Sequence, residues 1–204
     1  MLGGLKTFDA TTIDSYYDDY IQYLFIVAKN VDLYEFKKVI KTLIEAYDQN
    51  KTIYFIGNGG SAATASHFSE DLSAVGRKCN KDIFKCISLT NNVPYITAVG
   101  NDYGYEHIFV KQLEGHFSEK DVLISISASG NSPNVIKAIK YANSMGGKTI
   151  GFLGFDGGKA YDLCDISIVA RANKGEYGPV EDMHMIFDHL ITSFLFFELS
   201  KRNA

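Results

Sequence analysis

Basic residues are too few, prolines too rare and cysteines too scattered for several readings of this sequence to survive. Its 204 residues carry 20 Lys and Arg against 24 Asp and Glu, a formal net charge of −4, with no dense Lys/Arg run. A broad nucleic-acid-binding face is therefore not expected. Cys79, Cys86 and Cys164 are odd in number and show no CxxC spacing, which excludes a disulfide framework. A reduced, cytoplasmic setting is the expectation. Apolar stretches such as Ile191 to Leu199 are too short and interrupted to span a bilayer, and no basic stretch followed by an apolar one marks a signal peptide. There is no repeat, no low-complexity tract and no Pro/Gly/Ser-rich linker. We expect one domain over 1–204, with 1–50 a helical segment and 51–204 an α/β core closed by a helix.

What is present is a change of period. Thr11 to Lys29 and Asp32 to Asn50 repeat apolar residues every three or four positions and read as helices. From Thr52 onward, short apolar runs alternate with helical ones. Strands are expected at Thr52–Ile56, Ile83–Leu89, Asp121–Ser127, Lys148–Leu153 and Ile166–Val169. Helices are expected at Ala62–Val75, Asn134–Ser144 and Pro179–Lys201. Alternation of this kind implies a parallel sheet covered on both faces.

Two strand-to-helix junctions carry the chemistry. Gly57-Asn58-Gly59-Gly60-Ser61 follows the first strand, where glycines permit positive φ and close approach to a ligand. It matches neither the dinucleotide fingerprint nor the P-loop. Ser125-Ile126-Ser127-Ala128-Ser129-Gly130-Asn131-Ser132-Pro133 follows a later strand and offers hydroxyls as well as amides. Neither loop holds Lys or Arg. That suits a phosphate bound by hydroxyls and amides at a helix start, although Ser132 also suits a plain N-cap.

These loops resemble the two signature loops of the SIS (sugar isomerase) family. His67-Phe68-Ser69-Glu70-Asp71-Leu72, Val99-Gly100-Asn101-Asp102-Tyr103-Gly104 and Asp156-Gly157-Gly158-Lys159 narrow the resemblance to the phosphoheptose isomerase branch. The resemblance implies a flavodoxin-like three-layer sandwich around a five-stranded parallel sheet, and a homotetramer with active sites between subunits. It implies isomerisation of sedoheptulose 7-phosphate to D-glycero-D-manno-heptose 7-phosphate through an enediol, feeding heptose for lipopolysaccharide, capsule or other glycans. Asn58, Gly59, Gly60, Ser61, Asn101 and Asp102 would contact the substrate, and Ser127, Ser129 and Ser132 its phosphate. Ala128 stands where the family has Thr, so one hydroxyl is missing. Two alternatives stay open: a non-catalytic relative that binds a replication initiator, and an isomerase for another ketose phosphate.

The family's zinc site uses His, Glu, Gln and His, which correspond here to His67, Asp71, Glu181 and His189. Both altered residues are oxygen donors that zinc accepts. Two carboxylates would cancel the charge of the ion. Aldose–ketose isomerisation needs a base for the carbon proton and acid–base help at the oxygens. Asp71, Glu181 and His189 are the candidates, with Glu181 the base if the shorter Asp71 fails to reach. Glu70, three residues from His67, is a rival base, although solvated surface is its plainer reading, and His184 with Asp188, four apart, reads as a structural salt bridge.

Overall fold

The computed structural model describes residues 8, 10–79 and 83–202; most of the N-terminal stretch from which no signal peptide is read lies outside them. Five strands, β1 (Thr52–Gly57), β2 (Lys85–Ser88), β3 (Val122–Ser127), β4 (Lys148–Gly154) and β5 (Ile166–Ala170), form one parallel sheet in the order β2-β1-β3-β4-β5. Every residue of β3 is buried, and all of β4 after Lys148. That is why these segments read as continuous apolar runs: a parallel sheet covered by helices has no wet face.

Helices α1 (Ile13–Lys29), α2 (Leu33–Asp48), α3 (Gly60–Lys78) and α8 (Tyr177–Lys201) cover one face. There Val39, Leu43, Phe68, Leu72, Phe187 and Ile191 join Phe55, Ile124 and Phe152 in one core cluster. Helices α4 (Val93–Asp102), α5 (Val110–Leu113), α6 (Pro133–Ser144) and α7 (Gly158–Leu163) cover the other, with Val99, Leu113, Val135, Ile139 and Ala160 against Tyr54, Ile56 and Leu123. The three-layer α/β architecture expected from the sequence is thus the one observed. Among the described residues no helix is long and apolar enough to cross a membrane. Cys86 and Cys164 are free thiols, and burial pushes both up to about 12.

Helices α4, α5 and α7 have no counterpart in the sequence reading. They run 10, 4 and 6 residues and bury only one or two side chains each, too little for a helical period to stand out.

Two features of the fold position the site. The order β2-β1-β3 reverses chain direction across the sheet between β1 and β3, so the loops that follow these strands flank a crevice at their carboxyl ends. Helices α3 and α8 also run side by side in the same direction and in step. The Glu181 carboxylate lies against Gly60, His189 Nε2 is 3.4 Å from His67 Nε2, and the Cys79 thiol lies 3.5 Å from the Ser200 hydroxyl.

Candidate functional site

The two loops meet as expected. Asn58 and Asn134 exchange amide hydrogen bonds, Nδ2 to Oδ1, of 3.0 and 2.8 Å. The Tyr105 hydroxyl donates to Asn58 Oδ1 at 3.0 Å. Asn58, Ser61, Ser127, Ala128, Ser129, Ser132, Tyr177 and Glu181 line a cavity of about 180 Å³. Within the serine loop, the Gly130 amide donates to the Ser127 hydroxyl oxygen (3.1 Å) and the Asn131 amide to that of Ser129 (3.3 Å). Ser132 sits at the N-cap of α6, yet its side chain makes no cap hydrogen bond. Its hydroxyl and the first amides of the helix remain able to hold an anion.

The Asp156-Gly157-Gly158-Lys159 segment braces this loop from behind. A Cβ at Gly130, where φ is +59°, would overlap the carbonyl oxygen of Gly157, and one at Gly158 would overlap that of Ser129. The Ala160 amide donates to the Gly130 carbonyl at 2.9 Å. Only glycine permits so close a crossing of two backbones.

The start of α3 is different. Its N-cap, Gly59, has φ 56° and no side chain with which to cap. The Glu181 carboxylate lies so near that a Cβ on Gly60 would overlap it. A carboxylate at a helix N-terminus is favourably placed. Partial burial, with the neighbouring Asp182 charge, still moves the Glu181 carboxyl above its ordinary range. One helix start therefore faces an acidic side chain of the chain itself, and the α6 start faces the serines.

Asn101 and Asp102 end α4, are exposed, and bond to each other (Nδ2 to Oδ1, 2.8 Å). They do not line the cavity; Tyr105, three residues on, is the contact from this segment to Asn58.

Further along α3 and α8 lies a second group. His67, Asp71, Asp188 and His189 offer ligand atoms all within 4.8 Å of one another. His67 Nε2 is 3.4 Å from His189 Nε2, 3.4 Å from Asp71 Oδ2 and 4.0 Å from Asp188 Oδ2. Donors around a tetrahedral zinc ion at ordinary bond lengths stand roughly 3.3 Å apart. The Asp188 carboxylate is fully buried and neither oxygen has a hydrogen-bond partner. Burial, with the charges of Asp71 and Glu70, pushes its carboxyl up to about 8. Two imidazoles and two carboxylates at this spacing fit a divalent cation.

The structure thus joins three of the four expected ligands, and Asp188 rather than Glu181 is the fourth member of the group. Glu181 is eight residues, just over two turns, before His189 on α8, which separates it from the group along the axis. The expected His184–Asp188 salt bridge is also absent. His184 is wholly buried and its Nε2 donates to the Leu153 carbonyl at 3.1 Å. Burial lowers its pKa to about 4, so the ring is neutral and cannot pair with a carboxylate as a cation. Glu70 behaves as surface: it is exposed and 3.8 Å from Arg77.

Comparison with known proteins agrees with this fold. A family model for the SIS domain matches residues 15–154. The phosphoheptose isomerase of Aliarcobacter butzleri is 44% identical over 165 residues, 80% of this chain and 85% of that protein. The phosphoheptose isomerase of a Nitratiruptor species is 43% identical over 153 residues, 74% and 80%. Among solved structures, phosphoheptose isomerase GmhA from Neisseria gonorrhoeae superposes with a TM-score of 0.79 at 27% identity, over 90% of this chain and 96% of that one.

Proposed function

The chain belongs to the phosphoheptose isomerase family of SIS-domain proteins, and from that membership we propose that it interconverts sedoheptulose 7-phosphate and D-glycero-D-manno-heptose 7-phosphate. The observation that carries this reading is the pairing of two polar groups on one side of the fold: the serine-lined cavity at the start of α6, with Glu181 in its wall, and the His67–Asp71–His189 group further along α3 and α8. A phosphate at Ser127, Ser129, Ser132 and the α6 amides would leave the reacting end of the sugar to be served by the His67–Asp71–His189 group.

At that end a proton must leave C1 and another must arrive at C2, through an enediol, while the oxygens exchange a proton. Asp71, part-buried, takes the carbon proton, and His189, exposed beside it, serves the oxygens. Glu181 lies at the phosphate end, which suits it to accept hydrogen bonds from sugar hydroxyls rather than to act as the base. With Asn58 it orients the chain. Zinc is the expected ion at His67, Asp71 and His189, where it would polarise the carbonyl oxygen. Asn101 and Asp102 are best read as flanking the sugar's entrance.

We further read the protein as a cytoplasmic homotetramer serving surface-glycan synthesis. An apolar groove between α2 and α8, lined by Leu33, Phe36, Leu190, Phe194 and Phe197, supports assembly. It begins one residue beyond His189, in keeping with sites near subunit contacts.

The test is a panel of ketose phosphates of five, six and seven carbons, with product identified by NMR. The seven-carbon substrate should show the highest kcat/KM. Equal or better turnover of a five-carbon ketose phosphate would refute the seven-carbon assignment, and no turnover at all would favour a non-catalytic role.

A further inference from the structure

Asp188 is the least expected residue in the molecule. It lies on the inner stripe of α8 among Met183, Phe187, Ile191 and Leu195, all buried. Its carboxylate is fully buried, and neither oxygen has a hydrogen-bond partner. A buried, unpaired carboxylate is strongly destabilising, and hydrophobic replacement is usually tolerated better. Asp188 adjoins His189, and its carboxylate faces His67 at 4.0 Å. The cluster therefore has a dry side, Asp188, and a wet side, His189 and Asp71.

We propose that Asp188 is the inner carboxylate ligand of a divalent metal held with His67, His189 and Asp71, and that Glu181 lies outside the ligand set. Two aspartates and two neutral imidazoles sum to zero with a dication. The charge balance expected from Asp71 and Glu181 is met instead by Asp71 and Asp188. A cation in contact with Asp188 offsets the cost of burying it, as no hydrogen-bond donor does here. Glu181 stays at the start of α3, free to meet substrate. The purpose of the metal rests on the isomerase reading above; the ligand assignment does not.

Chelator-treated wild type, Asp188→Asn, Asp188→Leu and Glu181→Gln are titrated with Zn²⁺ by calorimetry and with Co²⁺ by visible absorption. Loss of a partner that merely orients a ligand costs roughly 10–100-fold in affinity, so Asp188→Asn should lose at least as much and change the cobalt spectrum. Glu181→Gln should bind as the wild type does. Metal-free Asp188→Leu should melt above metal-free wild type and gain nothing from added zinc. Wild-type affinity in Asp188→Asn, loss of metal in Glu181→Gln, or no stoichiometric zinc in the wild type would each overturn the assignment. Turnover is assayed separately: a wild type that binds zinc as described but isomerises nothing would sink the functional reading and leave the ligand set standing.

Discussion

Ser132 holds the N-cap position of α6 without bonding any of its amides. An N-cap serine normally satisfies one of them, worth about 1 kcal/mol, so a hydroxyl left uncommitted beside Ser129 is suited to another acceptor. Removing both hydroxyls in Ser129→Ala/Ser132→Ala should weaken phosphosugar binding by roughly 1–3 kcal/mol, since donors to a charged group are lost. Unchanged affinity by calorimetry, on protein with wild-type melting behaviour, would contradict the phosphate assignment. Glu181→Gln keeps the shape of the side chain and removes its charge. If Glu181 orients hydroxyls, steady-state kinetics should show a raised KM and a kcat close to wild type. A collapse of kcat at unchanged KM would instead make Glu181 the base.

Among the elements, α8 carries the most information. His184 gives it a pH dependence. Its pKa is about 4 in the fold against 6.5 when unfolded, because burial penalises the charged ring. Between these values the unfolded chain binds more protons than the native one, so stability rises with pH through this window and is lost as pH falls through it. The shift is worth up to about 3 kcal/mol. Urea midpoints at pH 5 and 7 should differ less in His184→Gln than in wild type. Asp188 titrates with the opposite sign in metal-free protein but is common to both chains, so it cancels in the comparison. An equal difference in the two proteins would exclude His184 as the source.

The same helix shows what was legible beforehand. β1, β3 and β4 were plain because fully buried strands are uninterrupted apolar runs, and the two loops because Gly and Ser cluster where such runs end. Helices α4, α5 and α7 were not, since so few of their side chains are buried. From sequence, Asp188 reads as half of a salt bridge with His184. The missed signal was its place on the stripe Val180, His184, Asp188, Ile191, Leu195, where a carboxylate has no solvent. Placing Glu181 apart from the group needed the relative height of two helices, which single-chain spacing does not contain.

At the scale of the whole molecule, α8 leaves Leu190, Phe194 and Phe197 between 44% and 54% exposed, and Leu33 of α2 68% exposed beside them. A contiguous apolar face of this kind suits an interface, and the assembly proposed above would seat a second copy on it. Light scattering at micromolar concentration should give a closed oligomer, most simply a tetramer with dihedral symmetry. Phe194→Glu should shift it to smaller species. A wild-type monomer with full activity would contradict this.

The matched heights of α3 and α8 bear on how such a protein can diversify. Inserting one residue into α8 between Glu181 and His189 would advance every later side chain by about 100° and ~1.5 Å. His189 would leave His67 and Asp188 would turn out of the core. Single insertions and deletions there should be almost uniformly lethal to the site, whereas point substitutions are absorbed locally. A change in the spacing between the Glu181 level and the His67–His189 level is thus available mainly in whole-turn increments, made in both helices together. Descendants of this chain are more free to swap the side chains at either level than to change the distance between the levels.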